Sequence, residues 1–272
     1  MRLFSAFTSI VIVYFFVAGT GSAFMSCSKS STTHDTVVVT PPHDSLADGL
    51  VAYYNFTGGN TNDSSGNGNN TIVNTATVTA DRNGKANNAY LFDGSSSYMD
   101  VANSVSLSPS GSITLFAIVK VNGFYANDCH ANQILGKLSS DAENGIYALR
   151  FNDLSTPCGT APNPNNEEFS GFFGDNGVGI AGNVTAAAVQ TGQWYFLAYT
   201  YDGATAKLYV NGTLVSSQTV AITFAANTDN LYIGKTPNTN FPYYFNGVID
   251  EVRIYNRALP QSLITKLNNV TE

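Results

Sequence analysis

Charge is scarce in this chain. Asp, Glu, Lys and Arg supply 11% of its 272 residues, 12 of them basic and 19 acidic, where about a quarter is ordinary. The net charge is −7, and no basic cluster exists to neutralise phosphates. Nucleic acid and charge-driven attraction to an anionic membrane are thereby excluded as partners. Asn, Ser, Thr and Gly carry the polarity instead.

Histidine, cysteine and tryptophan are also sparse. Of three histidines, His34 and His43 lie in a Ser/Thr/Pro-rich stretch, so His130 is the single imidazole of the remainder. No serine sits in a nucleophile-elbow context, which excludes a Ser-His-Asp hydrolase. The adjacent acids Glu167-Glu168 and Asp250-Glu251 point to opposite faces of an extended chain, so neither pair places two carboxylates in one cleft. The lone tryptophan, Trp194, opens an apolar strand and is expected to pack in the core. Three cysteines are an odd count for an exported protein and demand an explanation.

The N-terminus supplies one. Arg2, the apolar run Ile10 to Ala18 and the small residues after it form an export signal, the run being too short for a span of about 20 residues. Two cleavage points compete. Gly21-Ser22-Ala23 suits a general signal peptidase, whereas Phe24-Met25-Ser26-Cys27 resembles a bacterial lipobox that would leave Cys27 acylated. An acylated Cys27 leaves Cys129 and Cys158 as one disulfide pair in an oxidising compartment. The expected organisation is therefore a lipoprotein signal over residues 1–26, a flexible tether over 27–48 and one domain over 49–270. The expected location is the bacterial cell envelope, as an outer-membrane lipoprotein touching membrane only through its lipid.

From Gly49 onward, period-two apolar runs bounded by Gly, Asn and Asp recur: Leu50–Phe56, Ala89–Phe92, Ser97–Val101, Ile113–Val121, Gln133–Leu138, Ile146–Phe151, Glu168–Gly174, Trp194–Tyr201, Ala206–Val210, Leu214–Thr219, Leu231–Gly234 and Phe245–Tyr255. Their Tyr, Phe, Val and Ile content predicts strands. Asn211-Gly212 predicts a type I′ hairpin. Leu259, Leu263, Ile264 and Leu267 fall at helical spacing, with Pro260 in the first turn. Strands throughout and one terminal helix predict an all-β fold, a two-sheet antiparallel jelly-roll sandwich with a short C-terminal helix.

The ordered segments GLVAYYNFTGGNTNDSSGNGNN, AYLFDGSSSYMDV, SITLFAIVKV, WYFLAYTYDGATAKLYVNGTLV, LYIGK and YFNGVIDEVRIYNRAL resemble the laminin G-like domain of the concanavalin A-like lectin/glucanase superfamily. The resemblance implies a structural calcium held by the acid of the IDEVRIY strand, here Asp250, and by the turn Phe92-Asp93-Gly94. The alternative for Asp250 is a cap or an ion pair with Arg257 or a neighbouring strand's base. The segment Asn62 to Asn70 is oxygen-rich but reads as a loop.

Sugars show apolar C–H faces and hydroxyl rims, so their sites combine aromatic rings with amides, carboxylates or guanidinium groups. That mix occurs around Tyr125, Asn127, His130 and Gln133, at Tyr147, Arg150 and Asn152, and at Tyr243-Tyr244. A Cys129–Cys158 bridge would pin the same insert to the sandwich rim. The expected function is non-catalytic binding of a glycan or other surface polymer. A protein-binding adhesion or scaffold module is the alternative, and a divergent glycan hydrolase the third.

Overall fold

The computed structural model describes residues 45–125, 131–139, 145–153, 160, 167–175, 179–224 and 227–269. Cys27, Cys129, His130 and Cys158 lie outside them, as do the signal and the proposed disulfide. The strands are β1 (Leu50–Tyr54), β2 (Thr71–Asn74), β3 (Thr77–Thr79), β4 (Ala89–Asp93), β5 (Met99–Val101), β6 (Ile113–Val121), β7 (Ala131–Leu138) and β8 (Gly145–Asp153). They continue as β9 (Glu167–Asp175), β10 (Gly179–Ala188), β11 (Trp194–Tyr201), β12 (Thr205–Val210), β13 (Thr213–Thr219), β14 (Leu231–Ile233) and β15 (Asn246–Tyr255), and α1 (Gln261–Asn268) closes the chain.

Two antiparallel sheets result. The first, sheet A, runs β13-β12-β11-β6-β15-β4-β3, with β1 also on β15; the second, sheet B, runs β10-β9-β8-β7-β14-β5-β2. Alternation along each strand sends one set of side chains between the sheets. Val119, Leu197, Leu208 and Ile254 from sheet A meet Val101, Leu149, Phe169 and Ile233 from sheet B in a single core. Aromatic pairs join the layers: Phe173 stacks on Tyr199 at 4.5 Å between centroids, and Phe169 meets Tyr195 edge-on at 4.7 Å. Gly171 permits this approach, because a Cβ there would run into the Tyr199 ring.

The expected turn and helix are both present. Asn211 and Gly212 take φ of 51° and 76°, the left-handed pair that a type I′ hairpin requires. Leu259, Leu263, Ile264 and Leu267 join Phe116, Ile118, Ala198, Tyr209 and Tyr255 in a second apolar cluster, on the outer face of sheet A. Trp194 corrects an expectation. It is half-buried at the border of this outer cluster and has no place in the core between the sheets.

The closing strand departs from simple alternation. Ile249 pairs with Val119 but Glu251 pairs with Ile118, leaving Asp250 as the extra residue of a bulge. The bulge reverses facing: Ile249 enters the core before it, and Val252 and Ile254 after it. Val248, before the bulge, and Val252, after it, therefore lie on opposite faces of the strand. At the same place β15 changes neighbours, from β4, which reaches Ile249, to β1, which starts opposite Tyr255 and ends opposite Val252.

Candidate functional site

Asp250 fills the junction that β4 and β1 leave beside β15. Its side chain is 3% exposed, and Oδ2 accepts from Arg82 Nη1 at 2.8 Å and from the Arg82 amide at 3.1 Å. Burial nevertheless lifts its carboxyl above the ordinary range, with Arg82 pulling the other way. The expected basic partner thus comes from the loop after β3. Arg257 donates instead to the Asp48 and Ser45 carbonyls. Asp250 and Gly94 are not brought together. Asn246 pairs with Asp93, so about 13 Å of strand separates the turn from Asp250.

The turn at Asp93-Gly94 is self-contained. Burial pushes the Asp93 carboxyl up, but the Ser96 hydroxyl and the amides of Ser95, Ser96 and Ser97 outweigh it and hold the group well below its usual range. Gly94, at φ 75°, donates to the Phe245 carbonyl. In the Asn62 to Asn70 loop, Asp63 accepts from the amides of Tyr53, Ser65 and Asn69, which explains that oxygen-rich stretch as a loop brace. No cluster of three or more His, Cys, Asp or Glu forms among the described residues.

The outer face of sheet B gathers most of the expected sugar-binding residues. In β8, Tyr147, Leu149 and Phe151 enter the core while Ala148, Arg150 and Asn152 face outward. Gln133 pairs with Arg150 and Ala131 with Asn152 across β7 and β8, so Gln133, Arg150 and Asn152 share that face. All three are buried there. Arg150 lies over the Phe172 ring at 4.6 Å, Asn152 accepts from Ser170 Oγ at 3.0 Å, and Gln133 Nε2 donates to the Leu135 carbonyl. Burial withdraws all three from solvent. Tyr147 is a correction: it is wholly buried, and its hydroxyl donates to the Leu107 carbonyl at 3.1 Å.

Tyr125, Tyr243 and Tyr244 cluster with Ala131 at the rim of the same face. Tyr125 and Tyr243 meet edge-on at 6.0 Å, and Tyr243 stacks on the exposed Phe241 at 6.2 Å. Tyr243 has φ 45°, a conformation rare for an aromatic residue. The Gln133 amide donates to its carbonyl at 2.9 Å and helps fix the turn.

Beyond Tyr244 lies a group that the residue pattern alone does not expose. Met99, Val101, Leu231 and Ile233 face the core, which turns Tyr98, Asp100 and Tyr232 outward. The rings of Tyr98 and Tyr232 stand 6.3 Å apart. Lys235 Nζ lies 4.0 Å from the Tyr98 centroid, 5.3 Å from Tyr232 and 5.9 Å from Tyr244. Asp100 accepts from Asn230 Nδ2 at 2.8 Å and bonds the Tyr232 hydroxyl. Burial raises the Asp100 carboxyl, opposed by Asn230 and Lys235; burial also lowers the Lys235 ammonium, opposed by Asp100. All of these side chains are half-buried and bracket one surface. Ring faces for C–H contact thus lie beside an acid, a base and phenolic hydroxyls.

Lys137 is buried on the core-facing side of β7, opposite Tyr147. Its Nζ donates to Asn103 Oδ1 at 2.7 Å, Asn227 Oδ1 at 2.9 Å and the Asp229 carbonyl. The Asn103 amide in turn donates to Asn230 Oδ1 at 3.0 Å. Asp100 and Glu168 stand on strands separated by four steps of sheet B, about 19 Å, beyond the spacing of a paired-carboxylate hydrolase.

Solved structures share this fold. The binding domain of Paraclostridial Mosquitocidal Protein 1 superposes with TM-score 0.62 at 18% identity, over 83% of this chain and 53% of that one. The binding domain of botulinum neurotoxin serotype G gives 0.60 at 14%, over 80% and 50%. Our chain thus spans about half of each toxin domain. Domain 4 of AbnA, an extracellular GH43 arabinanase from Geobacillus stearothermophilus solved with arabinotriose, gives 0.54 at 22%, over 81% and 98%. No curated protein sequence matches the chain. Residues 93–265 match the laminin G model of the concanavalin A-like lectin/glucanases superfamily, and with a two-sheet sandwich over the same span the chain belongs to that family.

Proposed function

We propose that the chain is a non-catalytic carbohydrate-binding module, held in a bacterial cell envelope by a lipid on Cys27. The observation that carries this reading is the surface formed by Tyr98, Tyr232 and Tyr244 around Lys235, with Asp100 beside it. Half-exposed rings offer a stacking platform to a pyranose or furanose face, and the flanking charged groups reach its hydroxyls. The arabinotriose complex of the AbnA domain supports a sugar as ligand on this type of sandwich.

A glycan array followed by calorimetry on the best ligand tests it. Tyr98→Ala and Tyr244→Ala should each weaken binding about tenfold, as loss of one stacked ring implies. Tyr147→Phe, a core change remote from the platform, should leave affinity unaltered. Binding that survives both alanine substitutions would remove the platform from the reading. Blank arrays together with capture of a protein partner would favour an adhesion module.

A further inference from the structure

The opposite face of the sandwich carries a second aromatic surface. Trp194 and Phe196 are alternate residues of β11 and both border the outer cluster of sheet A. Trp194 pairs with Lys120, Lys120 with Val248, and Val248 with Leu91. One row therefore crosses four strands, about 14 Å of sheet, and Leu91 at its end is 37% exposed. Two cations lie over the rings: Lys120 Nζ at 5.3 Å from Trp194, and the Arg82 guanidinium at 5.7 Å from Phe196. Helix α1 shares its cluster with Phe116 and Ile118, whereas the row of Lys120 is the next outward position of β6.

The chain enters the domain on this same face. Leu46 and Leu50 pack against the outer cluster that Trp194 and Phe196 border, and Arg257 fixes the entry by donating to the Ser45 and Asp48 carbonyls. Only 17 residues lie between Cys27 and Ser45, a reach of about 60 Å when fully extended. A lipid on Cys27 would therefore keep this face near the bilayer at high effective concentration, where weak intrinsic contact suffices.

We infer that the Trp194–Phe196–Leu91 face docks on the lipid surface. Tryptophan and phenylalanine enter the headgroup layer, and Lys120 keeps its charge at the polar edge, while Arg82 stays paired with Asp250. The driving force is apolar burial, so the net charge of −7 does not oppose docking on a zwitterionic bilayer. The docked domain turns the outer face of sheet B, with its tyrosine platform, away from the membrane. The inference uses the proposed anchor and is independent of glycan binding.

Trp194 is the chain's single tryptophan, so its fluorescence reports this face alone. The protein purified from bacterial membranes is reconstituted into zwitterionic phosphatidylcholine vesicles with and without lipid brominated near the headgroup. Docking predicts flotation with the vesicles, a blue-shifted Trp194 emission and loss of most of that emission to bromine. The double variant Leu91→Ser/Phe196→Ser should still float through its lipid but should partition its face about tenfold less and largely escape quenching. Flotation with unquenched Trp194 would overturn docking while sparing the anchor. Failure to float would overturn both. A blue shift that grows with protein concentration without vesicles would assign the face to a second copy of the chain and overturn the lipid assignment.

Discussion

Replacing Arg82 tests how the bulge in the closing strand is held. Asp250 and Arg82 lie at 2.8 Å with side chains 3% and 8% exposed. At an effective dielectric near 20 their attraction is about 6 kcal/mol, and desolvating two ions costs several kcal/mol each. The pair therefore contributes little net stability, yet removing one member strands the other. Arg82→Met should cost about 3 kcal/mol, or roughly 6–12 °C in Tm for a domain of this size. The double variant Arg82→Met/Asp250→Leu should recover more than half of that, because no buried charge remains. The pH dependence has a definite sign. Burial raises the Asp250 carboxyl, so between the unfolded and folded values the native state holds more proton than the unfolded chain, and this contribution is lost as pH rises through the folded value. Loss of Arg82 raises that value further, so the deficit of Arg82→Met should shrink between pH 7 and pH 4. Thermal denaturation of the wild type, Arg82→Met, Asp250→Leu and the double variant at both pH values, with calcium and with EDTA, supplies the measurement. Strictly additive costs, or a deficit unchanged on acidification, would refute the ion-pair account. Stabilisation of the wild type by calcium that Asp250→Asn abolishes would make Asp250 a cation ligand instead.

Two further perturbations probe the sandwich and the support beneath the platform. Gly171→Ala drives a Cβ into the Tyr199 ring and should cost about 3 kcal/mol by urea denaturation. Gly111→Ala, with nothing within 4 Å of the new Cβ, should be nearly silent, and equal midpoints for the two would contradict the close approach of the sheets. Burial pushes the Lys137 ammonium down to about 8, with Asp229 pulling it up. Between that value and the ordinary 10.4 or so, the unfolded chain binds more protons, so this group makes stability rise with pH. Lys137→Met should abolish that rise and, by leaving three part-buried oxygens without their donor, lower Tm at pH 7. A wild-type-minus-variant difference that falls across this window would refute the lowered value.

Much of the scaffold was legible because local chemistry dictates it. Asn211-Gly212 accepts the positive φ of a type I′ turn, and the spacing of Leu259, Leu263, Ile264 and Leu267 specifies which helix face is buried. β10 escaped because GIAGNVTAAA is rich in residues with weak strand preference. β2 and β3, four and three residues long, offer too little alternation to detect. Facing was harder than existence. One extra residue at Asp250 reverses the parity of β15, and no composition rule announces it. Tyr147 failed for a related reason: alternation sets it apart from Arg150, but only sheet packing decides which of the two faces the core.

The platform itself illustrates where such reading ends. Tyr244 was singled out beside Tyr243, yet its partners Tyr98, Tyr232 and Lys235 were not. They meet because β14 lies between β5 and β7, strands distant from it in sequence. A surface assembled across that crossover has no local signature, since each tyrosine alone looks like an ordinary cross-strand residue. What identifies the group is the convergence of three half-exposed rings on one ammonium, with Asp100 tied to both Asn230 and Tyr232. Lys137 extends the same logic one layer inward. Its ammonium joins the loop at Asn103 to the loop at Asn227 and Asp229, and Asn103 in turn holds Asn230. Hydrogen-bonded residues therefore connect the Lys137 ammonium, through Asn103 and Asn230, to Asp100 at the surface.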